Sequence, residues 1–206
     1  MCSSDLRFRD PLVGRSILVG AVSSAGLMLG LFLITRVQLW MGGPAARPDF
    51  RSLWFEGMRQ TVGAYFDELS GSLWISIALL CFLLLLRVLL RREWAAVAAF
   101  LAIFAGAMAL GRPEGISLVI GLMFGLTFWG IAVFVLIRFG LLALVMQWGF
   151  LTIFDELPLT TELSTWYAEK AIVGLALMVA LACYGFWISL AGRPLIARDL
   201  LEEPAQ

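Results

Sequence analysis

Residues 72–92, SLWISIALLCFLLLLRVLLRR, constrain this chain more than any other stretch. From Leu73 to Leu86 the only interruptions of the apolar run are Ser76 and Cys81, so a helix here has no polar face. A helix apolar all round belongs in lipid or in a large core. At about 18–20 residues it can cross the ~30 Å hydrocarbon layer of a bilayer. Arg87, Arg91 and Arg92 close one end, and arginines at the end of a span mark its cytoplasmic side.

The rest of the chain agrees with this stretch. Of its 206 residues 61% are hydrophobic, well above the ~45–50% apolar content of soluble domains. Mean hydropathy is +0.93. The expectation is an all-α, polytopic transmembrane bundle of about six spans. Basic and acidic residues balance at 15 each, which gives no basic footprint for nucleic acid. The sequence holds no His. That excludes Ser-His-Asp and Cys-His catalysis and the HExxH metal site. Cys2, Cys81 and Cys183 stand apart from one another, and no disulfide, metal site or cofactor is expected.

Residues 1–16 read as a cytoplasmic lead-in. Its first six are MCSSDL, of which CSSDL matches the translated end of a common sequencing adapter. They are set aside, with the expectation that the natural protein continues upstream; a short natural terminus is the other reading. The membrane domain is expected over 17–190, with a cytoplasmic tail over 191–206. Its first span is read over 17–34. There Gly20 and Ser24, and again Gly26 and Gly30, put small residues four apart, a spacing that lets helices approach closely in membranes. After a turn rich in Gly and Pro, residues 50–69 mix charges with Trp54, Met58, Val62, Tyr65 and Leu69 at helical spacing. That pattern predicts an amphipathic helix along the outer membrane surface.

The second span is the opening stretch, and the third is read over 94–110, with Ala98, Ala102 and Gly106 as a further seam. The fourth runs over 116–137 and carries Gly121 and Gly125. Residues 116–154 as one helix would measure about 58 Å, too long for one crossing. The break is placed at 138–140, with Gly140 making the turn. The fifth span then covers 139–154 and holds Gln147, the one large polar residue deep in any span. A buried amide needs a partner, so Gln147 is a candidate either for inter-helix bonding or for a polar site. Residues 155–170 read as an acidic loop whose spacing fits no calcium-binding loop, and the sixth span as 171–190.

With a cytoplasmic N-terminus, six spans put nine of the fifteen basic residues inside and six outside. This bias predicts that both termini are cytoplasmic.

Several short stretches carry a likeness. They are FRDPLVGR at 8–15, RFGLLA at 138–143, LPLT at 157–160, WYA at 166–168, YGF at 184–186 and SLAGRPL at 189–195. Together they resemble the C-terminal membrane region of acidobacterial-type bacterial serine/threonine protein kinases. The resemblance implies a bacterial inner-membrane location, an upstream cytoplasmic kinase domain in cis, and an anchoring or sensing role in signal transduction. It implies no catalytic residue here: the chain has no kinase Gly-rich loop with its Lys, no HRD, no DFG and no APE. The alternative is a membrane subunit of a transporter or permease. The near absence of charge within the spans speaks against it, because substrate pathways usually carry such groups. The expected partner is the lipid bilayer; the oligomeric state is left open.

Overall fold

The computed structural model describes residues 10–40, 58–112, 117–156 and 168–190, and all regular structure among them is α-helical. The helices are α1 Pro11–Trp40, α2 Met58–Leu90, α3 Glu93–Leu110, α4 Leu118–Phe139, α5 Leu141–Glu156 and α6 Ala168–Ser189. All but α5 are long and apolar enough to cross a membrane. α5 has 16 residues, about 24 Å of helix.

In hydrocarbon every backbone polar group must be satisfied within the segment, which selects helices. Most of the hydroxyls follow the same rule, Ser76 being an exception. Ser16 donates to the Leu12 carbonyl at 2.9 Å, Thr35 to Leu31 at 2.7 Å, Thr127 to Met123 at 2.9 Å and Ser189 to Phe186 at 2.8 Å. Each bond ties a polar side chain to its own helix one turn back. Large apolar side chains meanwhile face outward: Trp74, Val88 and Leu110 are each more than two-thirds exposed. Water would penalise such a surface, whereas hydrocarbon matches it.

Inter-helix contacts set the direction of every crossing. Gly14 on α1 lies against Gly185 and Ser189 on α6. Phe82 on α2 packs on Phe100 and Phe104 of α3, and Arg87 pairs with Glu93. Gly125 and Gly121 of α4 meet Ala105 and Ala109 of α3. Trp148 of α5 meets Phe128 and Trp129 of α4, while Leu144 packs with Val133 and Leu136 in the same core cluster. These pairs are antiparallel. α1 and α5 are parallel: Gly20 sits on Ala143, Met146 and Gln147, and Leu27 and Leu31 share a cavity wall with Trp148, Leu151 and Asp155. The six helices described therefore alternate in direction along the chain, five of them long enough to cross a membrane and α5 a shorter apolar helix. α5 occupies its centre and packs against α1, α2, α4 and α6.

Two expectations need correction. No separate surface helix exists within 58–69. That segment is the first third of α2, which runs unbroken for 33 residues, about 50 Å. Tyr65 is buried beside Ile153 of α5, with Val173 and Leu177 of α6 packed on the pair, so the segment stands upright in the bundle. Residues 50–57, the loop at 157–167, the lead-in 1–9 and the tail from 191 lie outside the described residues. The first span is also longer than 17–34: the helix begins at Pro11, a residue suited to a first turn because its missing N–H is unpaired there anyway.

The break between α4 and α5 is a single residue. Gly140 has φ 88° and ψ −177°, a region open in practice only to glycine. Its N–H donates to the Leu136 carbonyl at 3.1 Å, and its carbonyl accepts from Leu144 N–H at 3.4 Å.

Candidate functional site

Four polar side chains are buried among the described residues: Ser24, Ser72, Ser76 and Gln147. The contacts gather them around the middle of α5. Gly20, one turn before Ser24, touches the backbone of Gln147; a methyl group on Gly149 would lie 3.4 Å from Ser72 Oγ. Ser76 follows one turn along α2. Ser24 and Ser72 donate to the Ala21 and Leu69 carbonyls at 2.8 and 2.7 Å. Ser76 Oγ and Gln147 Oε1 have no hydrogen-bond partner, although Ser76 is fully buried and Gln147 is 2% exposed. An orphaned buried polar atom costs roughly 1–3 kcal/mol, so this layer is a polar weak point in an apolar bundle. It holds hydroxyls and an amide but no ionisable side chain. It can accept or donate a hydrogen bond, but has no group to take up a proton at neutral pH.

The glycines divide by geometry. Gly125 lies so close to α3 that an added Cβ would come 3.0 Å from the Ala105 Cα and carbonyl; at Gly121 the nearest atom, Ala109 Cα, would be at 3.3 Å. The α3 side of this seam is Ala105 and Ala109, not the predicted Ala98, Ala102 and Gly106. Ala98 and Ala102 are exposed, and Gly106 has open space around it. Gly26 and Gly30 also meet nothing within 4 Å; they line a shallow groove between α1 and α4. The close approaches of α1 are instead at Gly20, onto α5, and at Gly14, whose Cβ would stand 2.5 Å from the Gly185 carbonyl and the Ser189 nitrogen. Gly14 and Gly185 escape a sequence reading that starts the span at residue 17.

One end of the bundle gathers the cations. The start of α1, the α2–α3 turn, the α4–α5 joint and the end of α6 meet there, which places Arg15, Arg87, Arg91, Arg92 and Arg138 together, against Asp10 and Glu93. Arg87 pairs with Glu93 in an exposed salt bridge, and Arg15 lies 5.2 Å from the centre of the Phe139 ring. Arg91 has φ 54°, the left-handed conformation, and its N–H closes α2 onto the Arg87 carbonyl. Arg92 is extended and begins α3. The opposite end holds Arg36, Arg59 and Arg112 together with Asp67, Glu68 and Asp155.

Cavities open between the helices. One of about 510 Å³ lies between α1, α5 and α6 and is walled by Ser24, Met28, Phe150, Phe154, Leu175 and Met178 among others. Another, of about 240 Å³, lies between α1, α3, α4 and α5. No group of three or more potential metal ligands comes together among the described residues.

Alternating apolar helices, lipid-facing side chains, hydroxyls tied to their own backbone and a sparse polar layer define a helical membrane protein. No family model matches the chain, and no curated protein or solved structure matches it either.

Proposed function

We propose that the chain is a non-catalytic membrane anchor or sensor region, a part of a receptor-like bacterial serine/threonine protein kinase, seated in the inner membrane with its arginine end in the cytoplasm. The observation that carries this reading is the clustering of Arg15, Arg87, Arg91, Arg92 and Arg138 at one end of the bundle. Cytoplasmic ends of membrane helices carry such an excess. Arg91 is held there in the left-handed conformation, which costs a non-glycine residue roughly 1–2 kcal/mol. The start of α1 and the end of α6 emerge at that same end. A kinase domain joined before residue 10 would then stand on the side that holds ATP. The resemblance of 8–15, 138–143, 157–160, 166–168, 184–186 and 189–195 to such kinases supports a kinase as that domain.

Reporter fusions after Arg92 and after Lys170 test the orientation. The first should report cytoplasm and the second the exterior. The reverse pattern would put the upstream domain outside and end the proposal. The second reading is a transporter subunit. It is favoured by the orphaned Ser76 and Gln147 at mid-bundle, and weakened by the lack of any buried charged side chain among the described residues.

A further inference from the structure

The 240 Å³ cavity differs from its neighbours in its chemistry. Phe124, Phe128 and Trp148 form one wall, with ring centres 5.9 Å apart for the two phenylalanines and 5.7 Å for Phe128 and Trp148. Trp148 Nε1 is itself buried, so the cavity meets the carbon surface of the indole. Two polar residues line the space, Thr152 and Asp155. Thr152 Oγ1 directs its proton to the Trp148 and Gly149 carbonyls, at 3.0 and 3.3 Å, and so offers only lone pairs. Asp155 is exposed at the end opposite the arginines and makes no ion pair with a described residue.

Asp155 also stands in the last turn of α5, which contains no basic residue to offset the negative end of the helix dipole. Two cations at the same end of the surrounding helices have other contacts. Arg36 of α1 lies 4.8 Å from the Phe32 ring centre, and Arg112 of α3 donates to the Ala109 carbonyl at 2.8 Å. Aromatic rings, a hydroxyl that offers only lone pairs and a carboxylate without an ion pair to a described residue line one small space. Anions are disfavoured by every polar group in it, and aromatic faces beside a carboxylate are the usual recognition chemistry for ammonium ions.

We propose that this cavity binds a small organic ammonium ion, with Asp155 as counter-ion and Phe124, Phe128 and Trp148 as the aromatic wall. Its volume is below the ~300–1,000 Å³ of drug-sized sites, which limits the ligand to a headgroup such as choline. The same trimethylammonium chemistry occurs in free choline and in choline lipids. The site stands independently of the kinase reading.

The test uses the full chain in an uncharged maltoside micelle, titrated with choline and followed by tryptophan fluorescence and calorimetry. Saturable binding is expected, about tenfold or more weaker in Asp155→Asn and in Trp148→Leu. The neutral isostere 3,3-dimethyl-1-butanol should bind at least about tenfold more weakly than choline. Circular dichroism and size-exclusion chromatography confirm that the variants are folded; Asp155 is exposed, so its variant keeps the bundle intact. Absence of choline binding, or equal binding of the isostere, overturns the proposal and leaves an apolar crevice. A second arm adds phosphatidylcholine or phosphatidylglycerol to the micelle. A loss of choline affinity with phosphatidylcholine alone supports the site and assigns it to lipid headgroups. Unchanged affinity with both lipids supports it as a site for the free ion.

Discussion

Replacing Gly140 with alanine isolates the backbone cost of the joint between α4 and α5. A Cβ at this position meets no atom within 4 Å, so sterics with neighbouring elements contribute nothing. The φ of 88° with ψ of −177° contributes everything. Holding a residue with a side chain in that region costs roughly 1–3 kcal/mol, a 5–150-fold loss in the ratio of folded to unfolded protein. The joint has little room to relax, because bonds from Gly140 to Leu136 and from Leu144 to Gly140 tie it into both helices. Gly130, in the middle of α4, is the internal control. It too has open space for a Cβ but is helical, so Gly130→Ala should gain about 0.5–1 kcal/mol. Unfolding of both variants in mixed maltoside and dodecyl sulfate micelles, followed by circular dichroism, reads the two effects with opposite signs. A Gly140→Ala variant as stable as the parent, or stabilised like Gly130→Ala, would refute the single-residue joint.

In the same assay, Gly20→Val should destabilise by roughly 1–3 kcal/mol, because its Cβ would come 2.6 Å from Met146 Cβ and 2.8 Å from the Gln147 nitrogen. Gly26→Val and Gly30→Val should leave stability within about 0.5 kcal/mol of the parent. Phe100, 1% exposed at the centre of the aromatic cluster, should cost about 3–5 kcal/mol when cut to alanine. Gln147→Leu should leave the midpoint unchanged or raise it, since it removes an acceptor that has no partner; a large loss would mean that Gln147 is bonded after all.

The helical class and the boundaries of α3, α4 and α6 were legible to within a few residues because each is a bounded apolar run of the right length. The α4–α5 break was legible because an apolar run far longer than a bilayer must turn, and Gly140 beside Arg138 was the place where it could. The continuity of α2 was not legible. Ser70, Gly71 and Ser72 look like an interruption, but Ser72 returns its proton to the Leu69 carbonyl and packs against Gly149. A tertiary contact thus overrides a local signal. The glycine seams failed differently. Spacing says that two small residues share a helix face, but not whether that face meets a helix or lipid. Gly26 and Gly30 have the same spacing as Gly121 and Gly125, yet only the second pair touches a neighbour.

The central place of α5 has a consequence for biogenesis. α1 and α2 follow one another in sequence but do not pack along each other among the described residues; each rests on α5. A chain made from its N-terminus therefore delivers four helices before the one that joins them. Until residue 156 is synthesised, Gly20 and Ser72 face lipid, translocon or chaperone rather than their eventual neighbour. The α2–α3–α4 hairpins can close early through Phe82, Phe100, Phe104 and Trp129. α1 has to wait. Ribosome-stalled chains ending before and after α5 should therefore differ sharply in the accessibility of a cysteine placed at Ser72.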